Sequence, residues 1–255
     1  MRLLRRDIIR LFDEIEFRFI QPMDRSAHIG WRGGGAFGVD VSNTYFAGGD
    51  AAARSRLAPL LQIESMSTIA NAHLINRIVA AMDDDEIYLN VGCWQGYSLC
   101  AGVIERDRRS VGVDNFSQFG GPRARFLRNY SALAHDRSEF HEMDYEAYLR
   151  SRLDRKVGFY FYDGEHSYAN QKKGLDLILP FLSDKAVILV DDTNWPEPRK
   201  ATLDFLRENH PFFEVLLDCR TAGNGHPTFW NGLMILQRNG VLHDPEQLGG
   251  PPAAP

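Results

Sequence analysis

Cysteine is scarce in this chain, with three in 255 residues: Cys93, Cys100 and Cys219. An odd count with no C-x-x-C spacing argues against a disulfide framework or a thiolate metal cage, so these read as small buried side chains. A basic excess is also missing. With 29 Lys and Arg against 34 Asp and Glu, the formal net charge is −5, which provides no field for gathering phosphate backbones and sets nucleic acid aside as a main partner. There is no long apolar run either. No stretch is long enough to span a bilayer, and Arg5, Arg6, Asp7 and Arg10 interrupt the N-terminus where a signal peptide needs an unbroken apolar core. The expectation is a cytoplasmic protein with no membrane partner and a small-molecule substrate.

What is present is enough apolar material for a core, 44% of residues, in a length that suits one α/β domain with an extension. Residues 3 to 19 place Leu4, Ile8, Leu11, Phe12, Ile15 and Phe19 on one helical stripe. That stripe either packs on its own domain or builds a homo-oligomer contact. Residues 21 to 50 mix glycines with Trp31, Phe37, Tyr45 and Phe46, which suits either a lid over a site or an irregular arm. Helical periodicity returns over 57 to 81, in one long helix or a broken one. The chain thus divides into an N-terminal helical and loop extension (1–82), a core (83–239) and a Pro- and Gly-rich tail expected to be disordered (240–255).

The core is organised around Glu86-Ile87-Tyr88-Leu89-Asn90-Val91-Gly92-Cys93-Trp94-Gln95-Gly96-Tyr97-Ser98. The apolar run breaks at Gly92 and resumes after Gly96 with helical spacing, the pattern of strand, tight turn and helix. A helix starting there presents unpaired N–H groups, and the glycines let a ligand approach the backbone. A second strand, Ser110-Val111-Gly112-Val113, ends in Asp114, an acid placed to hold ribose hydroxyls. The turn is not the G-x-G-x-x-G of a dinucleotide site, because Trp94 stands where the second glycine would admit a pyrophosphate.

Further strands are expected at 138–143, 157–162, 186–190, 212–217 and 230–236, with helices between most of them. This alternation predicts a doubly wound, mainly parallel sheet closed by an antiparallel pair. Asp163 and the pair Asp191-Asp192 follow two of these strands. If those strands are neighbours, three carboxylates converge at the carboxyl edge of the sheet, where open α/β sheets bind ligands. Such a cluster repels itself, and a hard divalent cation such as Mg²⁺ with oxygen ligands resolves the conflict. Capping or pairing with arginines is the plainer role for any one of them.

Asn90-Val91-Gly92 with Gly96-Tyr97-Ser98, Asp114, Asp163-Gly164-Glu165-His166-Ser167-Tyr168 and Asp191-Asp192 together resemble the class I S-adenosylmethionine-dependent methyltransferases. The likeness is strongest to the catechol and macrolide-sugar O-methyltransferase-like branches and runs over about residues 83 to 238. It implies a Rossmann-like seven-stranded sheet and S-adenosyl-L-methionine as methyl donor. It also implies donor-binding positions at Asn90, Gly92, Gly96, Tyr97, Ser98, Asp114, Asn115, Phe116, Asp144 and Asp163. Phe116 stands where that family has an adenine wall, and Asp144 where it accepts from the adenine amino group. Asp163, Asp191 and Asp192 match its metal ligands. His166 follows Asp163 by three residues, where catechol-type enzymes carry a lysine base, so with Asp163 it forms the expected catalytic pair, unless it only caps the next helix. Asn90 departs from the acid usual at its position. The implied activity is metal-dependent O-methylation of a hydroxyl on a sugar-bearing or phenolic small molecule. Metal-free N- or C-methylation, a nicotinamide oxidoreductase and a non-catalytic scaffold are the competing readings.

Overall fold

The computed structural model describes residues 5–18 and 35–239. Its centre is a seven-stranded sheet in the order β5-β4-β3-β6-β7-β9-β8. The strands are β3 (Glu86–Val91), β4 (Arg109–Asp114), β5 (Ser138–Glu142), β6 (Lys156–Tyr162), β7 (Leu182–Asp191), β8 (Phe213–Cys219) and β9 (Leu233–Arg238). The first five are parallel, and β9 runs antiparallel to β7 on one side and to β8 on the other. The expected doubly wound, mainly parallel sheet with one antiparallel strand is therefore the fold. The apolar runs of β3, β6 and the second half of β7 follow from burial on both faces.

Helices cover both faces. Tyr88, Phe159 and Leu189 join one buried layer with α4 (Ile69–Ala80) and α5 (Tyr97–Val103). Leu89, Tyr160, Tyr162 and Ile188 join the other, with α7 (Tyr145–Ser151), α8 (Tyr168–Ile178) and α9 (Pro196–Glu208). The strand ends, β3, β4, β6 and β7 side by side, open toward one cavity.

The N-terminal part departs from its sequence pattern. Its helix, α1 (Arg5–Asp13), is shorter than the apolar stripe, because Ile15–Phe17 (β1) pairs antiparallel with Thr44–Phe46 (β2). A pairing across such a separation is invisible to helical periodicity. Ile8 and Leu11 of α1 are buried in the same core as α4, so that much of the stripe packs on its own domain. Gly35–Asn43 forms a helix, α2, where a loop is expected, and the Gly-rich residues before it lie outside those described, as does the C-terminal tail. The stretch 57–81 is broken: α3 (Asp50–Leu57) runs into a 3-10 turn at Ala58–Gln62, with Pro59 at its start, and α4 begins only at Ile69. Thr68 caps α4 by accepting from the Asn71 N–H, and Asp40 of α2 accepts from that of Ile69.

Candidate active site

Val91 ends β3, and the chain turns through Gly92 at φ +80. A Cβ here would lie 2.0 Å from the Asp163 carbonyl oxygen, so only glycine permits the two strand ends to meet. The Asp163 N–H donates to the Val91 carbonyl at 2.8 Å, extending the β3–β6 ladder into the turn. Gly96, at φ +99, precedes the first residue of α5.

Asp114 at the tip of β4 is a strut for this turn. One carboxylate oxygen accepts from the N–H groups of Cys93 (2.7 Å) and Trp94 (2.9 Å), the other from Phe116 (2.7 Å). Three charge-assisted bonds of about 1.5–3 kcal/mol each hold Trp94 and Phe116 at positive φ. The N–H groups engaged in this way belong to the turn and to the loop after β4, not to the first turn of α5. Asn90 is fully buried, its amide bonded to Ser98 and to the Gly92 carbonyl.

A cavity of about 520 Å³ lies over these strand ends, large enough for a nucleoside-sized donor with a small acceptor. Of the expected donor-binding residues, Gly92, Tyr97, Ser98, Asp114, Asn115, Phe116, Asp144 and Asp163 line it, and Asn90 and Gly96 shape the turn from behind. Phe116 packs its ring against Phe126 and Phe140. Asp144 also caps α7 through the N–H groups of Glu146 and Ala147.

The acids at the ends of β6 and β7 lie on neighbouring strands. His166 joins them: its Nε2 is 3.5 Å from Asp163 Oδ1 and 3.3 Å from Asp192 Oδ2. Asp191, buried, accepts from the Asp192 N–H at 2.9 Å, and Asn231 donates to Asp192 Oδ1 at 2.9 Å. Burial pushes Asp163 up to about 6 against the pull of the His166 imidazole. Burial, then repulsion by Asp163 and Asp192, raises Asp191 well above the carboxylate range. Burial alone would lower His166, but its hydrogen bond to Asp163 and the surrounding carboxylates bring it up to about 9. The helix cap after this turn is Ser167, not His166. Asn194, the nearby amide, bonds Thr221 and orders a loop instead. Lys172 and Lys173 pair with acids on the helix surface.

Oxygen donors gathered in this way suit a hard cation in kind. As arranged, however, the imidazole sits on two of the carboxylates, and among the described residues no three His, Cys, Asp or Glu side chains are grouped as a ligand set.

The cavity also has walls that periodicity did not reveal: Ser65, Met66 and Ser67 before α4, Trp195 after β7, and Asn224 and Trp230 in the loop before β9. Trp230 lies in that loop rather than in the strand expected from 230 to 236, at φ +52 and paired with His226. Trp195 meets the His166 ring edge-on at 5.7 Å. Thr68 Oγ1 donates to the Thr228 carbonyl at 2.6 Å, tying the two loops together. The signal available in the sequence was two indoles in polar loops, which binding sites favour and cores do not require.

Residues 89–193 match a protein family described as "Methyltransferase domain". Among solved structures, an O-methyltransferase from Bacillus cereus in complex with SAH is 15% identical, with a TM-score of 0.56 over 72% of this chain and 91% of that one. The cofactor-bound Rv0187 from MTB is 17% identical, with a TM-score of 0.54 over 75% and 89%. The O-methyltransferase NovP is 14% identical, with a TM-score of 0.51 over 68% and 81%. No curated protein matches this chain in sequence. The fold is the one these solved structures share, and the segment that matches the methyltransferase family carries the glycine turn and all three acids.

Proposed function

We propose, from the premise that residues 89–193 form a class I methyltransferase domain, that this chain moves a methyl group from S-adenosylmethionine to a hydroxyl of a small ring-bearing acceptor. The observation that carries the reading is the meeting of His166 with Asp163 and Asp192 in the same cavity as the glycine turn. S-adenosylmethionine, when bound, supplies an electrophilic sulfonium methyl. The turn from Gly92 to Ser98 cradles its amino-acid end, Asp114 and Asn115 face the ribose, and Phe116 covers the base.

The acceptor hydroxyl lies at the other end, over β6 and β7. Its oxygen forms a bond to the methyl carbon as the carbon–sulfur bond breaks, the electron pair going to sulfur. The hydroxyl proton passes to His166 Nε2, and Asp163 and Asp192 hold the resulting imidazolium. Trp195 and Trp230 line the cavity, and no Lys or Arg is among the described lining residues. An uncharged sugar-like or phenolic ring fits that wall better than an anion. In-line placement supplies most of the acceleration for such a displacement.

A divalent cation such as Mg²⁺ would be held by Asp163, Asp191 and Asp192 and would supply positive charge beside the acceptor oxygen. A metal-free reaction is the second reading, favoured by the position of His166 on two of those carboxylates. Turnover of hydroxylated sugars and phenols with labelled donor, before and after EDTA, separates the two. Loss of activity restored by Mg²⁺ supports the cation, and unchanged activity supports the histidine alone. No SAH binding by calorimetry would sink both.

A further inference from the structure

We propose that Phe119 binds the methyl donor as a hinged cover: the tip of the loop between β4 and α6 (Arg123–Ser131) swings on Gly120 and Gly121 until the Phe119 ring lies over the filled cavity. The inference rests on the methyl-donor reading of that cavity. Phe119 is one of the residues lining it, yet 65% of Phe119 is exposed, more than any other large apolar side chain described. Its ring meets that of Trp94 edge-on, with centroids 6.2 Å apart. The backbone under the ring is also unfavourable. Gln118 to Gly121 form a β-turn closed by a 3.3 Å bond from the Gly121 N–H to the Gln118 carbonyl, and both central residues, Phe119 and Gly120, stand at positive φ, +53 and +71. Glycine, asparagine or aspartate suits the first of those positions, and a phenylalanine does not. A wetted ring on a strained backbone at the rim of a cavity is relieved when the turn closes on a ligand.

The tip is loose and its two roots are fixed. A Cβ on Gly120 or Gly121 would meet no described atom within 4 Å, so both glycines have room to turn. At one root the Phe116 N–H donates to Asp114 at 2.7 Å, and the turn beneath, held by the same carboxylate, has no need to move. At the other, Arg123 Nε reaches both oxygens of Glu142 at 2.7 and 2.8 Å, and Phe126 of α6 is fully buried. Fixed ends with a pair of glycines between them make a hinge. Residues 117 to 122 carry no charged side chain. The cover therefore brings apolar surface, which suits the flat ring of a nucleoside and not a phosphate.

SAH is the probe that tests this. Phe119→Ala is expected to bind SAH about tenfold more weakly than wild type, through faster dissociation at an unchanged association rate, the worth of burying part of one phenyl ring. Without ligand the variant is expected to keep the wild-type Tm, because the ring packs on little in the open state. Hydrogen exchange over residues 117–121 is expected to slow when SAH is added to wild type and to stay fast in Phe119→Ala. Wild-type affinity in Phe119→Ala would overturn the cover, as would a lowered Tm in the ligand-free variant. Exchange at 117–121 that SAH leaves unchanged in wild type would also overturn it, by making Phe119 a fixed wall. Each of those results leaves the methyltransferase reading standing, whereas a wild type that binds no SAH removes both.

Discussion

The two ends of the cavity are built on opposite terms. Over β3 and β4, Asp114 satisfies three backbone N–H groups, and Asn90, Ser98 and Gly92 close on one another before any ligand arrives. Over β6 and β7, one imidazole contacts two of the three buried or half-buried carboxylates, Asp163 and Asp192, while Asp191 accepts only from the Asp192 N–H among the described hydrogen bonds. The first end is rigid because its hydrogen bonds are complete. The second holds charge in a dry place, a cost that structures bear where chemistry uses it. Removing an acid should therefore lower stability at the β3–β4 end and raise it at the β6–β7 end, with activity falling in both cases.

The largest effect belongs to His166. Replacing it by Gln should lower kcat by about 10²–10⁴-fold if it is the general base. The base must be neutral, and its pKa is about 9. In metal-free assays wild-type kcat/KM should then climb as pH rises toward 9, whereas the variant's profile should be flat. A flat wild-type profile would remove the histidine from the reaction.

Asp114→Ala comes next. With the N–H groups of Cys93, Trp94 and Phe116 left without their acceptor, unfolding free energy should drop by ~3 kcal/mol, and SAH affinity about a hundredfold. Chemical denaturation and calorimetry read the two losses, and an unaffected fold would show the turn to be self-supporting.

The smallest effect has the opposite sign. Asp191→Asn keeps the acceptor for the Asp192 N–H and removes a buried charge, so the fold should gain ~1 kcal/mol at pH 8 as turnover falls. The folded-state pKa of Asp191 is raised, so its ionisation weakens the wild-type fold only above the ordinary carboxylate range. The gain should accordingly fade as the pH is lowered and the wild-type carboxyl is protonated. Thermal unfolding across pH checks it, and a destabilised Asp191→Asn would break the comparison.

Much of this arrangement is legible in the chain itself. Buried parallel strands write themselves as apolar runs, and each run here that ends in Asp114, Asp163 or Asp191 delivers that acid to the same edge. What stays hidden depends on distance along the chain. The β1–β2 pairing cuts short a good helical stripe, and the contact between Thr68 and Thr228 brings two loops to the cavity from 160 positions apart. Side-chain direction is equally illegible. Asp114 reads as a ribose ligand, yet three of its lone pairs face the backbone, and Ser98 reads as a donor to the ligand although its proton goes to Asn90.

The contact of Gly92 with the Asp163 carbonyl has one more implication. It acts as a fixed jig: the spacing between the methyl-giving and methyl-taking compartments is machined into two adjoining backbones, out of reach of side-chain drift. Relatives could trade loops to welcome new acceptors without ever recalibrating the length of the jump.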